Sequence, residues 1–390
     1  MICDIRNYVF TFFFFFILST YCARAQYPQL DTKGNLTDME EVDISLMVQP
    51  LPIENKFLDS AYNIWCGSVI KAGKDEYYMF YSRWPKVKGH EAWITDSEIA
   101  LASSEKPQGP YKHVKVIFKQ RGRQFWDGVC THNPAVIFHE GQYYLYYMGS
   151  TGTADITPNF AYSPAWYNYR NNQRIGVAVA NHPAGDWKRF DQPLLDASPD
   201  SLAYDAMLVS NPAITVDQNN KFILVYKQVE KNGTYQGGKV RFGVAFSNAA
   251  LGPFTKHTTP IFEEVNKKSR SAWMIAEDPY IWNYKGKNFA IVRDVIGKFT
   301  GIEGGLALLS STNAIDWKPS KFPKVIAKEV FDEQGKQLDD KLERPCLLIE
   351  NGLPTYLFGA MGINNRKHSM NIAVPLRSNI NMGTTKTIID

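Results

Sequence analysis

Asn133-Pro134-Ala135-Val136 returns in the sequence as Asn211-Pro212-Ala213-Ile214, and the same pattern is recognisable in Cys66-Gly67-Ser68-Val69, Asp278-Pro279-Tyr280-Ile281 and Arg344-Pro345-Cys346-Leu347. The starts lie 67, 78, 67 and 66 residues apart. Each is followed by a turn rich in Gly, Asp or Asn and then by an apolar run: Tyr77 to Tyr81, Tyr143 to Tyr147, Phe222 to Tyr226, Phe289 to Val292 and Thr355 to Phe358. A turn between two β-prone runs reads as a hairpin. A third strand recurs as Ile99-Ala100-Leu101-Ala102, Ile175-Gly176-Val177-Ala178, Phe242-Gly243-Val244-Ala245, Leu306-Ala307-Leu308-Leu309 and Ile372-Ala373-Val374. In four units Tyr111, Trp187, Phe254 or Trp317 follows Gly-Pro or Asp and leads into a fourth strand.

Five such units predict an all-β chain, a five-bladed β-propeller of four-stranded antiparallel blades around a central channel. Two stacked β domains would not give this period. The fifth unit stops after its third strand, so the segment around residues 40–60 is expected to supply the missing one and close the ring. At about 67 residues per blade, the surplus length goes into loops, and loops at one rim are where ligand sites are built.

Outside the repeat, residues 1–25 combine a polar start with Arg6, an apolar run from Tyr8 to Ile17 and Ala23-Arg24-Ala25. That is the layout of a secretory signal peptide cut after Ala25, leaving residues 26–390 as one propeller domain, secreted or periplasmic. A lipid anchor through Cys22 is disfavoured by the bulky Tyr21 before it. No other segment is apolar for the roughly 20 residues a membrane helix needs. Without residues 1–25 the chain carries 41 basic and 38 acidic side chains, a balance that gives no reason to expect nucleic acid. Cys66, Cys130 and Cys346 are an odd count with no close pair, neither a disulfide framework nor a zinc pattern. The 23 Phe, 21 Tyr and 9 Trp suit sugar stacking as well as a β core. An oligosaccharide or polysaccharide is the expected partner, while oligomeric state is not legible.

The first strand of each propeller blade lines the channel, so the residues at its start converge on one mouth. They read Trp65-Cys66, His132-Asn133, Ser210-Asn211, Glu277-Asp278 and Glu343-Arg344. Asp127 and Asp205 each stand six residues before an Asn-Pro pair, in equivalent loops. Glycosidic cleavage needs a carboxylic acid to protonate the leaving oxygen and a carboxylate to activate water or attack carbon. Asp127, Asp205 and Glu277 are the catalytic candidates, with a turn or cap role the alternative for either Asp. Arg83, Lys227 and Arg293, at the ends of second strands, are candidates for holding an acidic or sulfated sugar, or for internal salt bridges. Glu343 and Arg344 could pair with each other. His132 could ligate a metal, bond a sugar hydroxyl or be a satisfied core histidine. Trp65, Trp126 and Trp166 are stacking candidates. No cofactor is expected, though the channel could hold a structural Ca²⁺.

At these residues the sequence resembles the five-bladed propeller glycoside hydrolases that include families 43, 62, 32, 68, 117 and 130. Glu277-Asp278-Pro279 looks like the Glu-x-Pro that carries the general acid in family 43, and the resemblance implies that role for Glu277, with Asp278 raising its pKa. An exported bacterial subgroup is resembled through Tyr81-Ser82-Arg83-Trp84-Pro85, Ser97-Glu98-Ile99-Ala100, Trp126-Asp127-Gly128, Thr131-His132-Asn133-Pro134, Arg170-Asn171-Asn172-Gln173-Arg174-Ile175-Gly176 and Leu342-Glu343-Arg344-Pro345. The sequence departs from family 43 at Cys66-Gly67, where that family places its Asp-Pro base, and at Asn211, where its second Asp falls. A hydrolase would then have moved its base to Asp127 or Asp205. Trp65, Arg83, Trp126, His132, Asn133, Asn211, Lys227, Asp278, Arg293 and Arg344 are the substrate-binding candidates; phosphorolysis, using Arg83, Lys227, Arg293 and Arg344 on a phosphate nucleophile, and a carbohydrate-binding propeller without catalysis, favoured by the missing Asp at Cys66 and Asn211, are the rival readings.

Overall fold

The structure, a computed structural model, describes residues 36–157, 160–263, 272–327, 329–338 and 341–377. The proposed leader at 1–25 lies outside them, and no helix among the described residues is long and apolar enough to cross a membrane.

Five antiparallel sheets follow one another around an axis. The first blade is Tyr62–Gly73, Glu76–Pro85, Glu98–Ser104 and Lys112–Phe118; the third is Leu208–Val216, Phe222–Val229, Val240–Ser247 and Thr255–Lys256. The fourth is Ala276–Tyr284, Lys287–Asp294, Gly305–Ser311 and Lys318–Ile326. In the second, Cys130–His139, Gln142–Ser150 and Arg174–Ala180 form three strands, and the expected fourth is reduced to isolated bridges from Ile175 to Leu195 and Val179 to Lys188. Each first strand packs against the first strand of the next blade, and the fifth meets the first, so the ring is closed.

The fifth blade, Glu343–Glu350, Leu353–Ile363 and His368–Pro375, takes its outer strand from Lys56–Phe57, within the stretch expected to close the ring. Beside it, Asn55 Nδ2 donates to Ala373 O at 2.9 Å.

The inner strands are apolar on both faces because each blade is sandwiched between two others. In Ile99-Ala100-Leu101-Ala102 the large residues pack toward Leu145 and Tyr147 of the second blade, and the two alanines toward Phe358 and Ala373 of the fifth. Alternation of large and small lets wedge-shaped blades fit around a ring. The five largest clusters of buried side chains correspond to the five blade junctions.

The repeated X-Pro has a structural cause. In every first strand two residues oppose one on the second: Cys66-Gly67, Asn133-Pro134, Asn211-Pro212, Asp278-Pro279 and Arg344-Pro345. These are β-bulges, and the first residue of each has a left-handed φ, from 48° at Asn211 to 56° at Cys66 and Arg344. The second need not donate to the ladder, so proline is tolerated there in an otherwise central strand.

Phe57 is buried, with its ring 5.0 Å from that of Tyr81 and edge-on to it. Phe57→Ala should cost about 3–5 kcal/mol in chemical denaturation, the cost of an interior core phenylalanine; a loss below about 1 kcal/mol would show that this strand does not fasten the ring.

Candidate active site

The bulges decide where side chains point. A left-handed residue breaks the strict alternation of the strand, so consecutive residues serve two compartments. Trp65, His132, Glu277 and Glu343 line a cavity of about 240 Å³ at the mouth. Cys66, Asn133 and Asp278 line the narrower channel beneath, about 60 Å³, while Asn211 and Arg344 face both.

The channel residues form a polar floor. Cys66 Sγ donates to Asn133 Oδ1 at 2.9 Å, and the Asn133 and Asn211 amides meet at 2.6 Å. With its oxygen turned to the cations, Asn211 accepts from Arg344 at 2.9 Å and Lys227 at 3.2 Å. Arg344 Nη1 lies 2.9 Å from Asp278 Oδ1. Asp278 is therefore turned away from Glu277, toward Arg344. Burial raises its carboxyl against the pull of that guanidinium. As the single carboxylate lining the channel, and already spent on Arg344, it does not fit a channel Ca²⁺. Among the described residues no three His, Cys, Asp or Glu side chains group as metal ligands. Burial pushes the Cys66 thiol up to about 12, so it is no nucleophile.

Glu277 stands directly across the ladder from Arg293, whose Nη2 contacts Oε2, and Lys227 Nζ reaches Oε1 at 2.9 Å. Two cations on one carboxylate are the partners of an ionised group, not the setting foreseen for a proton donor. Burial and Arg344, ahead of the attraction of Asp278, push the Lys227 ammonium down to about 7. Glu343 accepts from Arg366 Nη2 at 2.9 Å; burial would raise its carboxyl, and Arg293, Arg366 and Lys341 outweigh that, holding it well below the usual range. Arg366 also lies over the Trp65 ring at 5.7 Å.

His132 lines the cavity fully partnered. Its Nδ1 is 2.7 Å from Ser97 Oγ, its ring lies 5.0 Å from that of Trp93, and burial, then Arg344, drives its pKa well below the ordinary value.

Four expected site residues lie elsewhere. Asp127 is 0% exposed, with Arg121 and Arg189 each at 2.6 Å and the Tyr147 hydroxyl donating at 2.7 Å. It is a charge hub between blades. Its backbone is pressed against the second blade, where a Cβ on Gly149 would come within 2.3 Å of the Asp127 Cβ. Asp205 is held by Lys256 of the third blade's outer strand. Trp126 stacks on Tyr147 at 5.6 Å, within the core of the first and second blades. Arg83 is one residue out of phase: Lys227 and Arg293 oppose Ser210 and Glu277, but the residue opposing Trp65 is Ser82. A one-residue offset puts a side chain on the other face, and Arg83 is bound to Glu98 at 2.9 Å and over Tyr62 at 4.3 Å.

Loops between second and third strands supply the walls that the repeat could not reveal. In the first blade, residues 86–96 form short helical turns presenting His90, Glu91 and Trp93. Burial raises the Glu91 carboxyl, against hydrogen bonding to Tyr162 and the charge of Arg366. In the second blade the helix Pro164–Asn171 starts at Ser163, whose Oγ accepts from Trp166 N, and has proline in its first turn. It brings Trp166, Tyr167 and Arg170 to the cavity, and Trp166 Nε1 donates to Glu91 O at 3.2 Å. Tyr162 and Trp273 line the rim, Trp273 at 57% exposure.

All five blades thus enclose one pocket containing three carboxylates and several aromatic faces. No family model and no curated protein matches the sequence. Among solved structures, a glycoside hydrolase superposes with a TM-score of 0.61 at 15% identity, over 85% of this chain and 93% of its own. BT0996, solved in an RGII complex, gives 0.61 at 16%, over 86% and 92%. Zg3597, a family 117 glycoside hydrolase of the marine bacterium Zobellia galactanivorans, gives 0.55 at 15%, over 86% and 91%. The chain shares the five-bladed propeller fold of these structures. At these identities the likeness is one of architecture.

Asp127→Ala should take the fully buried carboxylate from half-buried Arg189 and leave Arg121 only the exposed Asp191, lowering stability by about 1–3 kcal/mol in denaturant titration, with ligand binding by the folded protein unchanged. A stable variant that no longer binds saccharide would return Asp127 to the site. The depressed Lys227 has its own signature: between about pH 7 and 10.5 the unfolded chain binds a proton there that the folded one does not, so Lys227 contributes rising stability with pH across that window. In Lys227→Met the pH–stability curve should lose this slope.

Proposed function

We propose that the protein is a glycoside hydrolase acting at the mouth of the propeller on the ends of oligosaccharides released from a plant or algal polysaccharide, after export to the periplasm or beyond. The observation that carries this reading is the convergence of Glu91, Glu277 and Glu343, from the first, fourth and fifth blades, on one aromatic-walled pocket. Their environments differ in the way that acid–base division of labour requires. Glu277 is paired with cations on both oxygens, as suits the carboxylate that activates water or attacks the anomeric carbon. Glu91, raised by burial among aromatic side chains, suits the proton donor. This exchanges the role that resemblance to family 43 implied for Glu277. Trp273 and Tyr162 at the rim offer faces for sugar stacking. Enclosure by five blades favours a chain end over an internal segment.

A second reading, saccharide binding without turnover, is favoured by one observation: Glu277 and Glu343 are both already neutralised by cations of the protein. A panel of oligosaccharides with free ends separates the two. Glu91→Gln should lower turnover by about 10²–10⁴-fold on substrates with poor leaving groups and much less on activated aryl glycosides, whereas Glu277→Gln should impair both. Binding without hydrolysis throughout the panel would select the second reading.

A further inference from the structure

Most acids and cations of the mouth are paired with one another, and the Glu91 carboxyl and the Arg170 guanidinium stand outside these pairs. Lys227 and Arg293 hold Glu277, Arg366 and Lys341 hold Glu343, and Arg344 holds Asp278. Arg170 lines the same cavity, is 8% exposed and forms no ion pair among the described residues. Its side-chain hydrogen bonds all run through Nη1: Asn171 Oδ1 and Gln236 O at 3.1 Å, and Met207 Sδ at 3.7 Å. The guanidinium also lies 5.7 Å from the Tyr167 ring. Nε and Nη2 have no acceptor among the described residues.

A buried guanidinium without a counter-charge is costly, and a tether between the helix and residues 235–236 does not require one. Asn171 already makes that tie, its Nδ2 donating to Tyr235 O at 2.7 Å. The position of Arg170 in the last helical turn offsets only a small part of the cost. Its charge also works against Lys227, whose ammonium Arg170 and Arg344 both disfavour. An anion in the cavity would relieve both groups together.

We infer that Arg170 is the receptor for a carboxylate on the substrate, so that the sugar held in this cavity is a uronate. Nε and Nη2 form one edge of the guanidinium, two parallel donors matching the two coplanar oxygens of a carboxylate. The inference rests on the cavity being the saccharide site.

Calorimetric binding of galacturonate, glucuronate, mannuronate and guluronate, each against its neutral counterpart and against galactose sulfate, tests it. At least one uronate should bind about 10- to 100-fold tighter than the matching neutral sugar, the range of hydrogen bonds to a charged group. Arg170→Gln should bring that uronate to the neutral level without changing the neutral affinity, and Arg170→Lys should restore part of the difference. Equal affinity for acids and neutral sugars, preference for the sulfate, or equal loss of both ligands in Arg170→Gln would overturn the assignment. If circular dichroism shows Arg170→Gln unfolded, the wild-type preference and Arg170→Lys decide. Binding needs no turnover, so a uronate preference without hydrolysis would sink only the hydrolase reading, and hydrolysis of neutral ends without uronate preference only this one.

Discussion

In each first strand one residue too many is inserted, and the chain absorbs it by turning a non-glycine residue into left-handed backbone. A left-handed conformation is unfavourable for any side chain bearing a Cβ, and here it occurs five times in equivalent places. Packing on both faces of each blade holds it. What the ring gains is the separation of neighbours: Glu277 faces upward with Lys227 and Arg293, while Asp278 faces inward with Arg344. Adjacent carboxylates that would repel in a regular strand are each given their own counter-charges. The division between the pocket and its floor derives from this one irregularity.

The electrostatics of the mouth follow. Acids and cations reach the pocket partly from different blades, so some of its ion pairs are also contacts between elements far apart in sequence. Lys227 of the third blade with Glu277 of the fourth is one such pair. Because these groups are desolvated, charge acts strongly and ionisation departs from its ordinary values, Lys227 downward and Glu91 upward.

The ring and its five inner strands were legible because a bulge occupied by X-Pro writes a local signature, and Asn133-Pro134 and Asn211-Pro212 announce it. The residues at those strand starts were legible for the same reason, so Glu277, Glu343 and Arg344 were found before any geometry. Asp127 and Asp205 misled because a repeated carboxylate in equivalent loops looks the same whether it faces a ligand or neutralises cations within and between blades. Arg83 misled through a single-residue phase error that only the strand register reveals. Glu91, Trp93, Arg170 and Trp273 lie in connections without counterparts in other blades, where period carries no information. The missing fourth strand of the second blade was invisible because Trp187 preserves the aromatic signal even though pairing there shrinks to two bridges.

Closure through Lys56–Phe57 has a consequence for the order in which the pocket comes into being. Glu343, Arg344 and Arg366 belong to the last blade to leave the ribosome, and that blade is complete only when it captures a strand made about 300 residues earlier. Walls built from the first three blades therefore wait, open and half-charged, until the far end of the chain arrives. A truncated or unclosed ring lacks Glu343 with Arg366 and leaves Asp278 without Arg344, so the charge pairs of the pocket are incomplete until the fifth blade is in place. Function in this architecture reports on completeness of synthesis as much as on the identity of any one side chain.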